Sequence, residues 1–290
     1  MEVHQYGLTI AGIPLRLVCD QELLWEEEFL PFRTDGPARY TARFRQVEAL
    51  PPIPAEVWHE GLCDRVHPDG KGGYVRSFFD APRSEEAYGV GTYDYPHGQI
   101  SVDYLAGGAR CVSEMQNSFY HIGLEALLRQ EGKFCLHAAC VETAGKALLF
   151  SGPSGRGKST QADLWCHFRG AEMLNGDRPI LGKQTDRFTA WGSPYAGSSR
   201  CYVNRSAPIA ALVMLDSWGA CQLRRLPLRE AFRRIYQGLT MYSWDGSFSA
   251  DALDFAVALA GSVPVYGYHC TAGEESVDYL EQRLREDGVL

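Results

Sequence analysis

Nine residues, Gly152-Pro153-Ser154-Gly155-Arg156-Gly157-Lys158-Ser159-Thr160, constrain this chain more than any other stretch. They fit the Walker A pattern G-x-x-x-x-G-K-[ST]. They also lie between an apolar run, Ala147-Leu148-Leu149-Phe150-Ser151, and a helical pattern from about Lys158 to Phe168. The motif requires this succession of strand, tight loop and helix N-terminus. Its glycines let consecutive backbone N–H groups curl into an anion-binding nest, and the helix adds the positive end of its dipole. Lys158 is then placed to reach the β- and γ-phosphates of a nucleotide, and the Ser159 hydroxyl to ligate Mg²⁺. With Gly at about a tenth of positions and Lys at about 2%, as in this chain, roughly 0.005 chance matches are expected. Gly152, Ser154, Gly155, Arg156, Gly157, Lys158, Ser159 and Thr160 are therefore the expected phosphate-binding residues, the alternative being a glycine-rich turn that holds no phosphate.

Charge narrows what accompanies such a loop. With 36 Asp and Glu against 28 Lys and Arg, the net charge is −8. That is the opposite of the basic footprint that a nucleic-acid backbone requires. Of the five lysines, only Lys158 has a mechanistic position. The most apolar region, around Phe255 to Tyr266, follows Asp251 and Asp254 and contains Gly261 and Pro264. It falls short of the roughly 18 apolar residues of a membrane span. The first residues, Met-Glu-Val-His-Gln-Tyr-Gly, lack the basic and apolar regions of a secretion signal. A cytoplasmic location with no membrane partner is expected. Nine cysteines without a CxxC pair suggest neither a disulfide framework nor, at the spacing of Cys135 and Cys140, a zinc half-site.

The chain divides by pattern. Over residues 1–112, Tyr40, Ala42 and Phe44 alternate with Thr41, Arg43 and Arg45, and Ile100, Val102 and Tyr104 with Ser101 and Asp103. This is the period of half-buried strands, and Asp-Gly, Pro-Pro and Gly-Gly turns punctuate it, so a mostly antiparallel β-rich subdomain is expected. From 113 to 290 helices and strands alternate, as in an α/β domain. Ser113 with Gln116 reads as a capping box opening a wide apolar helix through Leu128, and Thr271 with Glu274 as another. Between them, strands are expected near Ala171–Leu174, Ile209–Leu215 and Val263–His269, a hairpin-like pair over 178–191, and helices near 228–240 and 250–261.

Two further residues bear on chemistry. Asp177, nineteen residues after Lys158 in Asn175-Gly176-Asp177-Arg178-Pro179, can serve Mg²⁺ or accept a proton from an attacking hydroxyl. The same Asn-Gly pair also reads as a plain hairpin turn. His137, in the apolar run Phe134 to Val141, reads on its own as a hydrogen-bonded core histidine.

Leu136-His137-Ala138, the Gly152–Ser159 loop and Asp177 together resemble the catalytic domain of the HPr kinase/phosphorylase family, including its relatives that modify precursor peptides in bacterial gene clusters. The likeness covers roughly residues 130–290. It implies an α/β fold like that of phosphoenolpyruvate carboxykinase, a mixed sheet with a P-loop, here preceded by the β-rich segment. It also implies ATP and Mg²⁺ as cofactors, with Lys158 and Ser159 on phosphates and metal, Asp177 as metal-linked residue or general base, and His137 near the γ-phosphate. Where that family carries two adjacent aspartates, this chain has Gly176, Asp177 and Arg178. The glycine-rich signature of the reverse, phosphorylase reaction has no good copy here.

The expectation is an ATP- and Mg²⁺-dependent kinase acting on a hydroxyl, foremost a Ser or Thr of a peptide or protein. A small-molecule hydroxyl acceptor and a non-catalytic nucleotide-responsive module are the alternatives. The 1–112 segment is the candidate for acceptor recognition, and a homo-oligomer is left open. Residues 191–205 read as a closing loop, with Arg200 or Arg205 on transferred charge, or as a connector. Arg224, Arg225, Arg229, Arg233 and Arg234 read as a solvated face or as a docking surface for an acidic peptide.

Overall fold

The computed structural model describes residues 3–24, 27–195 and 197–290. It forms two compact units, residues 1–130 and 131–290. No helix of the described residues is long and apolar enough to cross a membrane.

The first unit is built on eight strands: β1 (His4–Ile10), β2 (Ile13–Cys19), β3 (Tyr40–Gln46), β4 (His59–Glu60), β5 (Asp64–Pro68), β6 (Tyr74–Phe78), β7 (Gly89–Asp94) and β8 (Gln99–Tyr104). Their order in the sheet is β1-β2-β3-β8-β7-β6-β5-β4. The β2–β3 and β3–β8 pairs are parallel and the rest antiparallel. Tyr40, Ala42 and Phe44 are buried on one face of β3, as their alternation predicts.

Three helices complete this unit: α1 (Ala109–Val112), α2 (Met115–Ile122) and α3 (Leu124–Gln130). The unit boundary therefore lies at 130/131, past the 112/113 change in sequence pattern. The reason is packing. The buried Arg76 on β6 pairs with Asp64 at 2.9 Å, donates to the Tyr120 carbonyl of α2 at 2.8 Å, and lies under the Tyr120 ring. Tyr93 donates to the His121 carbonyl at 2.7 Å, and the His121 ring meets Phe78 edge-on. The expected single helix is broken because Gly123 takes φ +63° and closes α2. The Ser113 capping box does not form. Ser113 donates to the Arg110 carbonyl instead, and Glu114 occupies the cap position of α2.

The second unit carries β9 (Phe134–Cys135), β10 (Ala138–Thr143), β11 (Lys146–Ser151), α4 (Lys158–Arg169), β12 (Glu172–Asn175), β13 (Ile180–Gln184), β14 (Arg187–Trp191), β15 (Ser206–Trp218), β16 (Gln222–Arg225), α5 (Leu228–Gly238), α6 (Gly246–Ser262), β17 (Val265–Cys270) and α7 (Glu274–Glu286). The sheet is mixed, with β11 and β17 parallel to β15 and β14 antiparallel to it. The architecture is thus mixed α/β. Trp165 of α4 and Val277, Leu280 and Leu284 of α7 bury against Phe150, Val213, Leu215 and Tyr268. Gln161, fully buried on α4, donates to the Thr271 carbonyl at 2.8 Å and so ties α4 to the approach of α7. The Thr271 capping box is also absent: Gly273 caps α7, and the Thr271 hydroxyl donates to the Glu275 carboxylate.

Along the β15–β17 pair, Leu215 sits opposite Tyr268 and Trp218 opposite Cys270. Asp216 and Ser217 together therefore face the single residue His269, which makes a β-bulge.

Candidate functional site

Strand β11 ends at Ser151 and helix α4 begins at Lys158, so residues 152–157 must reverse and climb within one tight loop. Gly152, Gly155 and Gly157 take φ of +150°, +75° and +86°. A side chain is strained at such values. At Gly157 a Cβ would also come within 2.4 Å of the Trp218 ring. The loop thus has the strand–loop–helix geometry that its pattern predicts, with the helix N-terminus open at its mouth. A cleft of about 340 Å³ lies there, lined by Ser154, Lys158, Ser159, Thr160, Asp177, His137 and Trp218 among others. Trp218, 45% exposed, forms part of its wall.

Lys158 is buried, and its ammonium donates to the Gly152 and Pro153 carbonyls at 3.1 and 3.3 Å. Burial lowers its pKa, an effect that the Asp177 carboxylate opposes. These carbonyls hold the amine against the loop until a stronger acceptor competes for it. Ser159 and Thr160 stand exposed in the first turn of α4.

Backbone pairing brings Asp177 and His137 to the same cleft. Leu136 donates to the Pro179 carbonyl at 3.1 Å, and Ala138 to the Asp177 carbonyl at 3.0 Å. On the opposite side His137 donates to the Gly238 carbonyl at 2.8 Å and Thr240 to the Cys135 carbonyl at 2.9 Å. The His137 Nε2 lies 3.7 Å from the Asp177 carboxylate. Burial and the nearby Lys158 charge lower the imidazole pKa, with Asp177 opposing. His137 is therefore a half-exposed member of the cleft, not the core residue that its apolar neighbours suggest.

The Asn-Gly pair is not a hairpin turn, since β12 pairs with β10 while β13 pairs with β14 and β9. Instead the Asn175 side chain accepts hydrogen bonds from the Asp177 and Arg178 N–H groups at 3.0 and 2.6 Å. Its amide donates to the Ser193 hydroxyl and the Tyr195 carbonyl, both at 3.1 Å. Fully buried, Asn175 locks the turn that presents Asp177. From the same loop Gly197 presses on Asp177 so closely that a Cβ there would fall 2.7 Å from the Asp177 Cβ. The 191–205 loop is thus a buttress of the site along its described residues; Ala196 lies outside them. Arg205 is committed elsewhere, to Glu172 at 2.5 Å and Glu142 at 3.7 Å.

Among solved structures, the HPr(Ser) kinase/phosphatase from Coxiella burnetii is similar over 53% of this chain and 95% of that chain, at TM-score 0.30 and 10% identity. A likeness so slight carries no residue roles across. No protein-family model and no curated protein matches the sequence.

Sequence reasoning passed over Asp216. It ends the buried run Ala211 to Leu215 on β15, the strand parallel to and beside β11. An acid at the end of an apolar strand is the signal that could have found it, since that is where phosphate-loop proteins place a second metal-linked carboxylate. Here Asp216 is bound by Arg234, which also pairs with Glu230 at 2.6 Å.

No group of three or more His, Cys, Asp or Glu side chains in the described residues could hold a metal by itself. The Ser159 hydroxyl and the Asp177 carboxylate at the loop cleft are hard oxygen donors of the kind that suits Mg²⁺, which keeps its waters and takes one or two protein ligands plus substrate phosphates. Ser159 and Asp177 are the residues placed to supply those ligands.

Proposed function

We propose that this chain is an ATP- and Mg²⁺-dependent phosphotransferase that moves the γ-phosphate to a hydroxyl, foremost a Ser or Thr of a peptide or protein, and that it is a kinase of the HPr kinase-like kind. One observation carries the reading: the glycine loop, the buried Lys158, the carboxylate of Asp177 and the ring of His137 meet at one cleft on a helix N-terminus. The loop amides and α4 dipole receive the triphosphate, with Lys158 moving from its loop carbonyls to the β- and γ-oxygens. Ser159 and Asp177 would hold Mg²⁺, which would supply neutralisation of the phosphate charge.

The acceptor hydroxyl faces Asp177, whose carboxylate takes its proton. The acceptor oxygen bonds to the γ-phosphorus as the bond from that phosphorus to the β,γ-bridging oxygen breaks, and ADP leaves with the bridging oxygen. His137, 3.7 Å from the Asp177 carboxylate, is placed to donate a ring N–H to the transferring oxygens. Positioning and charge neutralisation supply most of the acceleration in such transfers.

Titration with a fluorescent ADP and transfer from γ-labelled ATP into a lysate of the source organism test this directly. Asp177→Asn is expected to keep nucleotide affinity within a few-fold and to abolish labelling of the acceptor, whereas Lys158→Ala weakens both. Equal transfer by wild type and Asp177→Asn would remove the base assignment. Nucleotide binding with no labelled peptide, protein or metabolite would instead favour a nucleotide-responsive binding module.

A further inference from the structure

Beside the glycine loop, on the other side of His137 and Gly152, lies a second cleft of about 410 Å³. Its walls are the loop itself, the end of β15 and the last turns of α5. Three arginines line it, Arg156, Arg233 and Arg234, and Asp216 is its one carboxylate. That acid is already matched by Arg234. Arg156 and Arg233 are exposed and have no ion pair among the described residues. Two uncompensated guanidinium groups therefore face one cavity in a protein of net charge −8. A guanidinium offers a planar fork of donors that matches carboxylate geometry. The apolar wall formed by Met214, Leu215 and Pro153 gives such pairing a partly desolvated setting.

We infer that this cleft holds the residues flanking the acceptor, whose hydroxyl reaches past the shared His137 to Asp177 in the loop cleft, and that it selects a peptide whose hydroxyl residue is flanked by carboxylates. The inference rests on the kinase reading above, because the shared wall at His137 is what places an acceptor beside the loop. Of the five arginines that read in the sequence as a solvated face or as a docking surface for an acidic peptide, it assigns Arg233 to substrate choice. The ligand chemistry is a hydroxyl neighboured by an anion, and the peptide is favoured over a free hydroxy acid because a cleft of about 410 Å³ is larger than a single small acid fills.

The test uses the full chain with Mg²⁺ and saturating ADP, so that the loop is occupied. Fluorescein-labelled Ala-Ala-Ser-Glu-Glu-Ala, its Gln-Gln counterpart and its Lys-Lys counterpart are titrated by anisotropy, with glutarate as a competing free diacid. The acidic peptide is expected to bind at least tenfold more tightly than the Gln-Gln peptide. Arg233→Gln should remove that preference, and Arg233→Glu should transfer it to the Lys-Lys peptide. Equal binding of the acidic and Gln-Gln peptides, or a preference that survives Arg233→Glu, overturns the inference. So does a large loss of ADP affinity in Arg233→Gln, which would make the cleft part of the nucleotide site. Glutarate displacing the acidic peptide at equal concentration overturns the choice of a peptide. If wild type binds no fluorescent ADP, the kinase reading fails by itself, and peptide preference is then scored without nucleotide.

Discussion

Asp177 is held from three directions: by the Asn175 side chain on its N–H, by Ala138 on its carbonyl, and by Gly197 against its Cβ. Gly197 takes φ +55°, so Gly197→Ala strains the backbone and pushes on Asp177 at once. The expected outcome is a fall in transfer rate of tenfold or more with nucleotide affinity unchanged within threefold, read by single-turnover transfer and fluorescent-ADP titration. An unchanged rate would show that the Asp177 carboxylate tolerates the displacement. Lys158 and Ser159 were legible as neighbours on one loop, because a loop motif ties residue type to spacing, whereas Asp177 lies outside that motif and stood out only as an acid nineteen residues on. It did not make Asn175 or Gly197 legible. Their roles arise where a turn meets a loop twenty residues away in the chain, and no local pattern records that meeting.

Elements were legible where one periodicity acted alone. The alternation in β3 and β8 and the apolar runs of β11 and β15 fold as they read, and the 13-residue β15 extends its predicted core at both ends. Helix ends were less legible, because a capping box competes with every other acceptor that the hydroxyl can reach. Ser113 and Thr271 both find other partners. Helix α2 shows what tertiary packing adds. His121 is fully buried on it, donating from Nδ1 to the Asn117 carbonyl at 2.6 Å and accepting from the Tyr88 hydroxyl at 2.7 Å. Burial lowers its pKa to about 4 from an ordinary value near 6.5.

The unfolded chain therefore binds a proton that the folded chain refuses between those pH values. The stability from neutral His121, on the order of 3 kcal/mol, is present above pH 6.5 and is lost as pH falls through 6.5 toward about 4. Urea unfolding followed by near-ultraviolet circular dichroism at several pH values should show this slope, and His121→Leu should flatten it. An equal slope in that variant would assign the acid sensitivity to other groups.

At the scale of the whole molecule, each unit has its own sheet and its own buried core, and every residue lining the two clefts lies within 131–290. A chain of residues 131–290 is therefore expected to bind fluorescent ADP within threefold of the full chain. A loss beyond tenfold would mean that the nucleotide site depends on residues 1–130. The extra residue in β15 has a consequence for how such a chain can diverge. In an unbroken strand Asp216 and Trp218 would share one face. The bulge shifts the phase between them, so Asp216 lines the arginine-rich cleft while Trp218 lines the loop cleft. A point substitution at either position alters the wall of one cleft and spares the other, because each side chain lines only one of them. The two clefts are thus adjustable independently from two nearby positions of one strand.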